Sequence, residues 1–226
     1  MTTIRFSSDS KTSLSNQLLQ RFISCIYRNT TDITKVEFEY NKFGKPSLVD
    51  TNLCFSMSNQ QGYTSMIINT DMKEVGIDLA SIKDLNKFGN NYLDNFAEIF
   101  HENEYKYLSK YDNYELKVIF TEFWALKESY AKKLGVGLNA DLQSFDFRNV
   151  HLVNYKTSRE LKNYLEIQKS QWNSSATLYI YDNLEKDLNI FLNRLNPDIV
   201  VSVIGESIDQ PLIVKIPIDT ILEYFQ

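Results

Sequence analysis

Residues 124–132, WALKESYAK, carry an aromatic ring, a carboxylate and an ammonium group at helical spacing. Trp124, Glu128 and Lys132 follow one another at intervals of four residues, so they project from one face of an α-helix. Gly135 comes next and can adopt the left-handed conformation that ends a helix. A metal-dependent anion site needs such a face, because a carboxylate holds the ion, a lysine neutralises phosphate and an aromatic ring excludes water. The same pattern also fits a half-buried helix face with an exposed ion pair.

Three further blocks lie upstream of this helix. Residues 41–48, NKFGKPSL, place Lys45 beside a glycine turn. Residues 55–62, FSMSNQQG, alternate as a half-buried strand does and then open into a polar loop. Residues 75–80, VGIDLA, form an apolar strand with a single acid, Asp78. Packing does not explain that acid, since burial of an unpaired carboxylate is costly. Its alternative role is a turn or capping acid.

Together with WALKESYAKKLGVGL, these blocks resemble the phosphopantetheinyl transferases of the surfactin-synthetase-activating type. Within that family the sequence of these blocks most resembles the eukaryotic, particularly fungal, members that activate α-aminoadipate reductase. The resemblance runs from about residue 21 to residue 147. It implies an enzyme that transfers 4′-phosphopantetheine from coenzyme A to a serine of a carrier domain and releases adenosine 3′,5′-bisphosphate.

The resemblance also implies roles for the acids and lysines of the helix and the strand. Asp78 and Glu128 match the family's metal carboxylates, which hold Mg²⁺, and Glu128 would also activate the serine directly or through a water. Lys132 matches the lysine that contacts the phosphates; its alternative role is a solvated helix lysine. Lys127 and Lys133 point elsewhere on the helix, and we expect them to be solvated.

The same resemblance places the nucleotide end of coenzyme A near the first blocks. Lys45 and Ser58 match positions that grip the 3′-phosphate. Arg21 would add positive charge nearby, and a plain helix-surface arginine is an equal alternative.

Two positions depart from the family pattern. Asn59 stands where many members have a histidine, so a charge-capable contact to the nucleotide phosphate becomes a neutral hydrogen bond. Ala80 stands where bacterial members have a second acid, which excludes a three-carboxylate site at these positions. Eukaryotic members can instead use a glutamine near the metal, and this role maps onto Gln60, with Gln61 as the alternative register.

Periodicity predicts an α+β fold. We expect a helix over 12–28, a strand over 33–40, and strands near 53–57, 63–69 and 74–79 that form one antiparallel sheet. Further helices are predicted over 92–100, 102–108, 114–134 and 184–195, and strands over 142–147, 176–180 and 199–204. The resemblance implies two pseudo-symmetric α+β halves with the coenzyme A cleft between them. We place their boundary at 70–73, which gives halves of 1–73 and 74–226.

Composition excludes several classes of function. The chain has 226 residues and a net charge of −5, whereas a general nucleic-acid binder needs a basic surface. The sequence shows no apolar run of membrane-spanning length and no secretory signal, so we expect a cytoplasmic protein, and we expect a monomer.

Three functional readings stay open. The first is transfer to a carrier domain of α-aminoadipate reductase in lysine biosynthesis, and the second is the same chemistry on a peptide-, polyketide- or fatty-acid-synthase carrier. The third is a coenzyme A- or carrier-binding protein without turnover, suggested by Asn59 and Ala80. Residues 95–108, NFAEIFHENEYKYL, are the candidate carrier-docking surface, with a plain helix-turn-helix face as the alternative.

Overall fold

The computed structural model describes residues 8–153, 155, 157–162 and 165–226 of the chain. Within these residues the α-helices are α1 (Ser8–Tyr27), α2 (Tyr92–Asn95), α3 (Glu102–Leu108), α4 (Asn113–Leu134) and α5 (Ile218–Tyr224). The strands are β1 (Phe38–Tyr40), β2 (Pro46–Leu48), β3 (Cys54–Gln60), β4 (Tyr63–Asn69), β5 (Val75–Ser81), β6 (Phe145–Arg148), β7 (Thr157–Lys162), β8 (Leu165–Ser170), β9 (Thr177–Ile180), β10 (Asn183–Leu184), β11 (Leu188–Asn196), β12 (Ile199–Glu206) and β13 (Ile213–Lys215).

The strands form small antiparallel sheets. Three sheets have the strand orders β11-β12-β5, β10-β9-β6 and β13-β8-β7, and two hairpins pair β1 with β2 and β3 with β4. This mixture of helices and antiparallel sheets confirms the predicted α+β class. The pseudo-symmetry of two halves stays a prediction.

The sheet of β11, β12 and β5 positions Asp78 against helix α4. β5 pairs with β12 so that Asp78 lies opposite Ser202. The hydroxyl of Ser202 lies 2.7 Å from that of Ser129 on α4, so this face of the sheet meets the helix. A side chain at Gly76 would collide with the backbone of α4, because a Cβ there would lie 1.8 Å from the carbonyl oxygen of Ser129. Gly76 therefore allows the close approach that brings Asp78 to the last turns of the helix.

Three apolar clusters build the core. The largest lies between α4 and the sheet and includes Ala80, Phe120 and Leu126. The second covers the opposite face of the sheet, around Ile77 and Val201. The third joins α1 to the β3–β4 hairpin, and Tyr224 and Phe225 at the chain's C-terminal end pack against it. Helix α5 thus packs on the N-terminal part of the chain, across the boundary predicted at 70–73.

The prediction that three successive strands form one sheet is wrong. β3 and β4 form a hairpin, but β5 pairs with β12, more than a hundred residues later in the chain. β5 reaches the hairpin through hydroxyl groups, since the amide of Ile77 donates to Ser56 Oγ at 3.2 Å and that of Leu79 to Ser58 Oγ at 3.0 Å. Local sequence patterns define strands but do not choose between partners at such different separations.

The predicted helix over 184–195 is also wrong. The segment forms β10 and β11, and β11 is buried on both faces: Ile190 and Leu192 enter the largest cluster, and Phe191 and Leu195 enter the second. A strand between two apolar layers has apolar side chains on both faces, so apolar and polar residues do not alternate along it. Its sequence period therefore does not distinguish it from a buried helix.

Two shorter strands begin later than predicted. The strand expected over 33–40 starts with a 3₁₀ turn, Ile33–Lys35, because the side chain of Asp32 accepts the amide of Thr34. The strand expected over 142–147 likewise starts with a 3₁₀ turn, Leu142–Ser144.

The helix predicted over 92–100 is wrong in extent: α2 stops at Asn95, and a 3₁₀ turn, Ala97–Ile99, follows it. The remaining predicted elements are present, some of them with shifted ends. Within the described residues, no helix has the length and apolarity needed to cross a membrane.

Candidate functional site

The structure brings Asp78, Lys132 and Ser58 into direct contact. Lys132 Nζ lies 2.6 Å from Asp78 Oδ1, and Ser58 Oγ donates to the same oxygen at 2.9 Å. Lys132 Nζ also donates to Ser58 Oγ at 3.0 Å. Three segments distant in sequence, from β3, β5 and α4, therefore meet at one carboxylate oxygen.

Three hydrogen bonds hold the hydroxyl group of Ser58 in this contact. Its hydroxyl donates to Asp78 and accepts from both Lys132 and the backbone amide of Leu79. A hydroxyl group has one donor and two acceptor positions, so all of them are occupied. Ser58 is buried, with 4% of its surface exposed. In this arrangement its hydroxyl supports Asp78, whereas the sequence analysis assigned it to the 3′-phosphate of coenzyme A.

Glu128 lies one helical turn before Lys132 on α4, and it interacts electrostatically with both Lys132 and Asp78. Burial raises the pKa of Glu128 above its ordinary value, the negative charge of Asp78 raises it further, and Lys132 opposes both effects. Burial also raises the pKa of Asp78, with Lys132 and Ser58 opposing the shift. The two carboxylates are therefore near enough to repel each other, and one ammonium group offsets that repulsion.

This donor set fits Mg²⁺. Magnesium is bound by hard oxygen ligands, commonly one or two carboxylates with waters completing the shell. Asp78 and Glu128 supply two such carboxylates, and a bound divalent cation would offset their mutual repulsion. Across the described part of the chain, no three side chains of the types histidine, cysteine, aspartate and glutamate converge as a metal site.

Lys45 lies near this site but is engaged elsewhere. Its ammonium group pairs with Glu74 and donates to the carbonyl oxygen of Lys133 at 3.2 Å. The neighbouring Asn41 donates to the carbonyl oxygen of Gly135 at 2.8 Å. The turn at residues 41–46, named here the GKP turn after Gly44, Lys45 and Pro46, thus caps the C-terminal end of α4. Carbonyl groups at that end lack partners inside the helix and favour positive charge.

Gly135 has the two properties that this contact needs. Its φ of +68° is the left-handed conformation that ends the helix, as predicted, and a Cβ there would lie 3.0 Å from the side chains of Asn41 and Lys45.

The remaining predicted residues do not take part in the central contact. Asn59 points to the opposite face of β3 from Ser58, because side chains alternate along a strand, and its Oδ1 is buried with no partner among the described residues. Gln60 lies on the same face as Ser58, and its amide donates to Asp84 Oδ2 at 2.7 Å. The guanidinium group of Arg21 lies 5.8 Å from the ring centre of Phe38.

The prediction that Lys127 and Lys133 are solvated is wrong. Lys127 is fully buried, its Nζ lies 2.6 Å from Glu104 Oε2, and it donates to the carbonyl oxygens of Leu142 and Phe145 at 2.7 Å each. Lys133 is 9% exposed and pairs with Glu206. Helix α4 is covered on several sides, so its lysines meet partners that helical spacing alone does not reveal.

Ser56 and Ser202 were not predicted from the sequence, although Ser56 bonds to β5 beside Asp78 and Ser202 lies opposite Asp78 on β12. Ser202 interrupts the apolar run of β12 as Asp78 interrupts that of β5. A single polar residue inside an apolar strand was the signal that could have identified it.

A protein-family model matches the segment that carries three of these residues. The model of the 4′-phosphopantetheinyl transferase superfamily matches residues 74–190, which contain Asp78, Glu128 and Lys132.

Curated relatives include proteins of fungi and bacteria. A protein of Candida glabrata is 38% identical over 142 residues, which cover 62% of this chain and 53% of that protein. One of Saccharomyces cerevisiae is 40% identical over 146 residues, with 62% and 52% covered. Both are named L-aminoadipate-semialdehyde dehydrogenase-phosphopantetheinyl transferase. The 4′-phosphopantetheinyl transferase Sfp of Bacillus subtilis is 29% identical over 139 residues, with 61% and 58% covered. The chain spans about half the length of these curated relatives.

Proposed function

Because the chain belongs to the 4′-phosphopantetheinyl transferase superfamily, we propose that it transfers 4′-phosphopantetheine from coenzyme A to a serine hydroxyl of an apo carrier domain. The second product is adenosine 3′,5′-bisphosphate. The observation that carries the proposal is the convergence of Asp78, Glu128 and Lys132 at one place. A diphosphate substrate brings negative charge that this lysine and a bound cation would neutralise.

The residues divide the work of the reaction among them. Asp78 and Glu128 would hold Mg²⁺, which when bound supplies positive charge to the diphosphate oxygens. Glu128 accepts the proton of the attacking serine hydroxyl, directly or through a water. Lys132 stabilises the negative charge of the departing bisphosphate.

For the carrier, we propose a domain of α-aminoadipate reductase, and hence a role in lysine biosynthesis. The printed names of the two fungal relatives support this choice. A peptide-, polyketide- or fatty-acid-synthase carrier is the alternative, since the Bacillus subtilis relative carries only the general name of the activity. We propose a monomer acting in the cytoplasm, and docking of the carrier on residues 95–108.

The proposal is tested with a panel of apo carrier domains incubated with coenzyme A and Mg²⁺. Mass spectrometry should detect the phosphopantetheine adduct on the carrier serine, with the α-aminoadipate reductase domain modified fastest. Binding of coenzyme A without any adduct on any carrier would instead support a non-catalytic binding protein.

The Lys45→Ala variant should raise the KM for coenzyme A by about tenfold and leave kcat nearly unchanged. A contact to the remote 3′-phosphate is made in both the ground state and the transition state, so it contributes uniform binding. Lys45 would have to exchange Glu74 for that phosphate. The measurement compares coenzyme A with 3′-dephospho-coenzyme A as donors.

Asn41→Ala is the matched control, since it removes the neighbouring cap of α4 without removing charge. If Lys45→Ala discriminates between the two donors as strongly as the unmodified protein does, Lys45 does not contact the 3′-phosphate.

The Gln60→Ala variant should raise the Mg²⁺ concentration needed for half-maximal transfer by about tenfold, with little change in coenzyme A affinity. Two carboxylates leave ligand positions for a neutral oxygen, which we assign to Gln60. Magnesium titrations of the transfer rate measure the effect, and Gln61→Ala is the control for register. Unchanged magnesium dependence in Gln60→Ala would mean that water alone fills this position.

A further inference from the structure

Lys132 is the cation that neutralises Asp78 in this structure. Its Nζ lies 2.6 Å from Asp78 Oδ1, and Ser58 Oγ lies 2.9 Å from the same oxygen. These two donors occupy the lone pairs of that oxygen. The side chain of Asp78 is 7% exposed, whereas that of Lys132 is 28% exposed. Asp78 is therefore the buried member of the pair, and its Oδ1 is already occupied by the more exposed lysine and by Ser58.

A metal ion that binds Asp78 meets this ammonium group as a competitor. Both cations seek the same buried carboxylate, and at short distance their like charges repel strongly in a partly buried site. Glu128 adds a second carboxylate one turn away, but Lys132 already interacts with both acids. Metal binding therefore requires that the ammonium group leave Asp78 or become neutralised by another anion.

A diphosphate group is the anion that fits this exchange. Lysine is a flexible, strongly hydrated point charge whose long side chain can move its head group without movement of the helix. The backbone cannot easily follow, because Gly76 lies directly against α4 and the GKP turn holds the helix end. Only the side chain of Lys132 has to change partners.

We propose that Lys132 is the resident counter-cation of Asp78, and that a divalent metal replaces it there only as a diphosphate takes the lysine away. The metal and the diphosphate therefore bind cooperatively, and each is bound weakly without the other. The inference rests on the proposed function for the identity of the two ligands. It adds that Lys132 opposes metal binding in the absence of the diphosphate.

Cooperativity of this kind has a reciprocal signature. If the diphosphate raises the affinity for Mg²⁺ by some factor, Mg²⁺ raises the affinity for the diphosphate by the same factor. Part of that factor comes from direct contact between the metal and the phosphates. The part that comes from Lys132 is isolated by removing the lysine.

The test is isothermal titration of Mg²⁺ into the protein without any nucleotide. Lys132→Met should bind Mg²⁺ roughly tenfold more tightly than the unmodified protein, because the competitor for Asp78 is gone. Lys133→Met is the matched control: it removes the same charge from the next residue, which pairs with Glu206 and not with Asp78, and its Mg²⁺ affinity should stay unchanged. Unchanged or weaker Mg²⁺ binding by Lys132→Met, or equal tightening by Lys133→Met, would overturn the proposal.

A second variant tests the proposal if Lys132→Met does not fold. Lys132→Gln removes the charge but keeps an amide donor for the buried carboxylate, and it should also bind Mg²⁺ more tightly. In either variant, Mg²⁺ should raise the unfolding temperature more than it does in the unmodified protein. No difference in this stabilisation for a folded variant would contradict the exchange.

The titration is repeated with 3′-dephospho-coenzyme A present, which provides the diphosphate. The donor should strengthen Mg²⁺ binding by a larger factor in the unmodified protein than in Lys132→Met. Transfer to a carrier is measured separately, so the two ideas can fail independently. If the unmodified protein transfers nothing but Lys132→Met binds Mg²⁺ more tightly, the proposed function alone is rejected. If the unmodified protein transfers normally but the two proteins bind Mg²⁺ equally, the exchange alone is rejected.

Discussion

The Glu128→Gln variant should transfer phosphopantetheine roughly 10²-fold more slowly, or worse, than the unmodified protein. Glutamine keeps the size of the side chain but removes the negative charge that would hold Mg²⁺ and the basic oxygen that would take the serine proton. Both losses affect the charged transition state more than substrate binding, so kcat should fall more than KM rises. Single-turnover transfer to an apo carrier, followed by mass spectrometry, measures the change.

A matched control lies on the same helix. Glu115 is an exposed acid in the first turn of α4, and Glu115→Gln should transfer at the normal rate. Circular dichroism of both variants would establish that each is folded. Normal turnover in a folded Glu128→Gln protein would remove Glu128 from the mechanism and leave Asp78 as the only proposed acid.

The Lys127→Met variant should lose about 3–5 kcal/mol of unfolding free energy. Lys127 and Glu104 are both fully buried, and their ion pair is surrounded by hydrogen bonds: Glu104 accepts the amides of His101 and Phe147. Burial raises the pKa of Glu104 to about 7 even with Lys127 beside it. Methionine fills a similar volume but leaves a buried carboxylate without a cation and two carbonyl groups without their donor. Urea denaturation measures the loss.

Two further variants separate the charge effect from packing. In Lys127→Met with Glu104→Gln the unpaired charge is absent, so this double variant should be more stable than Lys127→Met alone. Lys133→Met should cost about 1 kcal/mol or less, because its partner Glu206 is half exposed to solvent. A Lys127→Met protein as stable as Lys133→Met would show that the buried pair makes no net contribution.

The helix side of the site was predictable because it depends on short-range rules. Intervals of four residues placed Glu128 and Lys132 on one helix face, and the structure puts both beside the acid found in β5. The αL end of the helix at Gly135 follows from the conformational freedom of glycine and is observed. Such features need only the local period and the chemistry of one residue type.

Other features depended on partners far along the chain, and these were not predictable. In the sequence, nothing distinguishes Lys127 from a solvated helix lysine. Only the fold brings Glu104 to it. The same holds for Lys45, whose contacts are Glu74 and one carbonyl group near the C-terminal end of α4, that of Lys133. Strand β11 was predicted to be a helix because apolar residues cover both of its faces. Such a strand lacks the two-residue alternation of apolar and polar residues that distinguishes a strand from a helix.

The two serines of β3 also have a consequence for the solubility of the protein. β5 is the outer strand of its sheet, and an outer strand with free amide groups is a template on which other chains can add strands and aggregate. The outward amides of Ile77 and Leu79 are already bonded to the hydroxyls of Ser56 and Ser58. A side-chain hydroxyl accepts an amide proton but offers no continuing row of backbone groups, so the sheet ends there. The residue that orients the acid of the site is thus also one that keeps this edge from recruiting a second molecule.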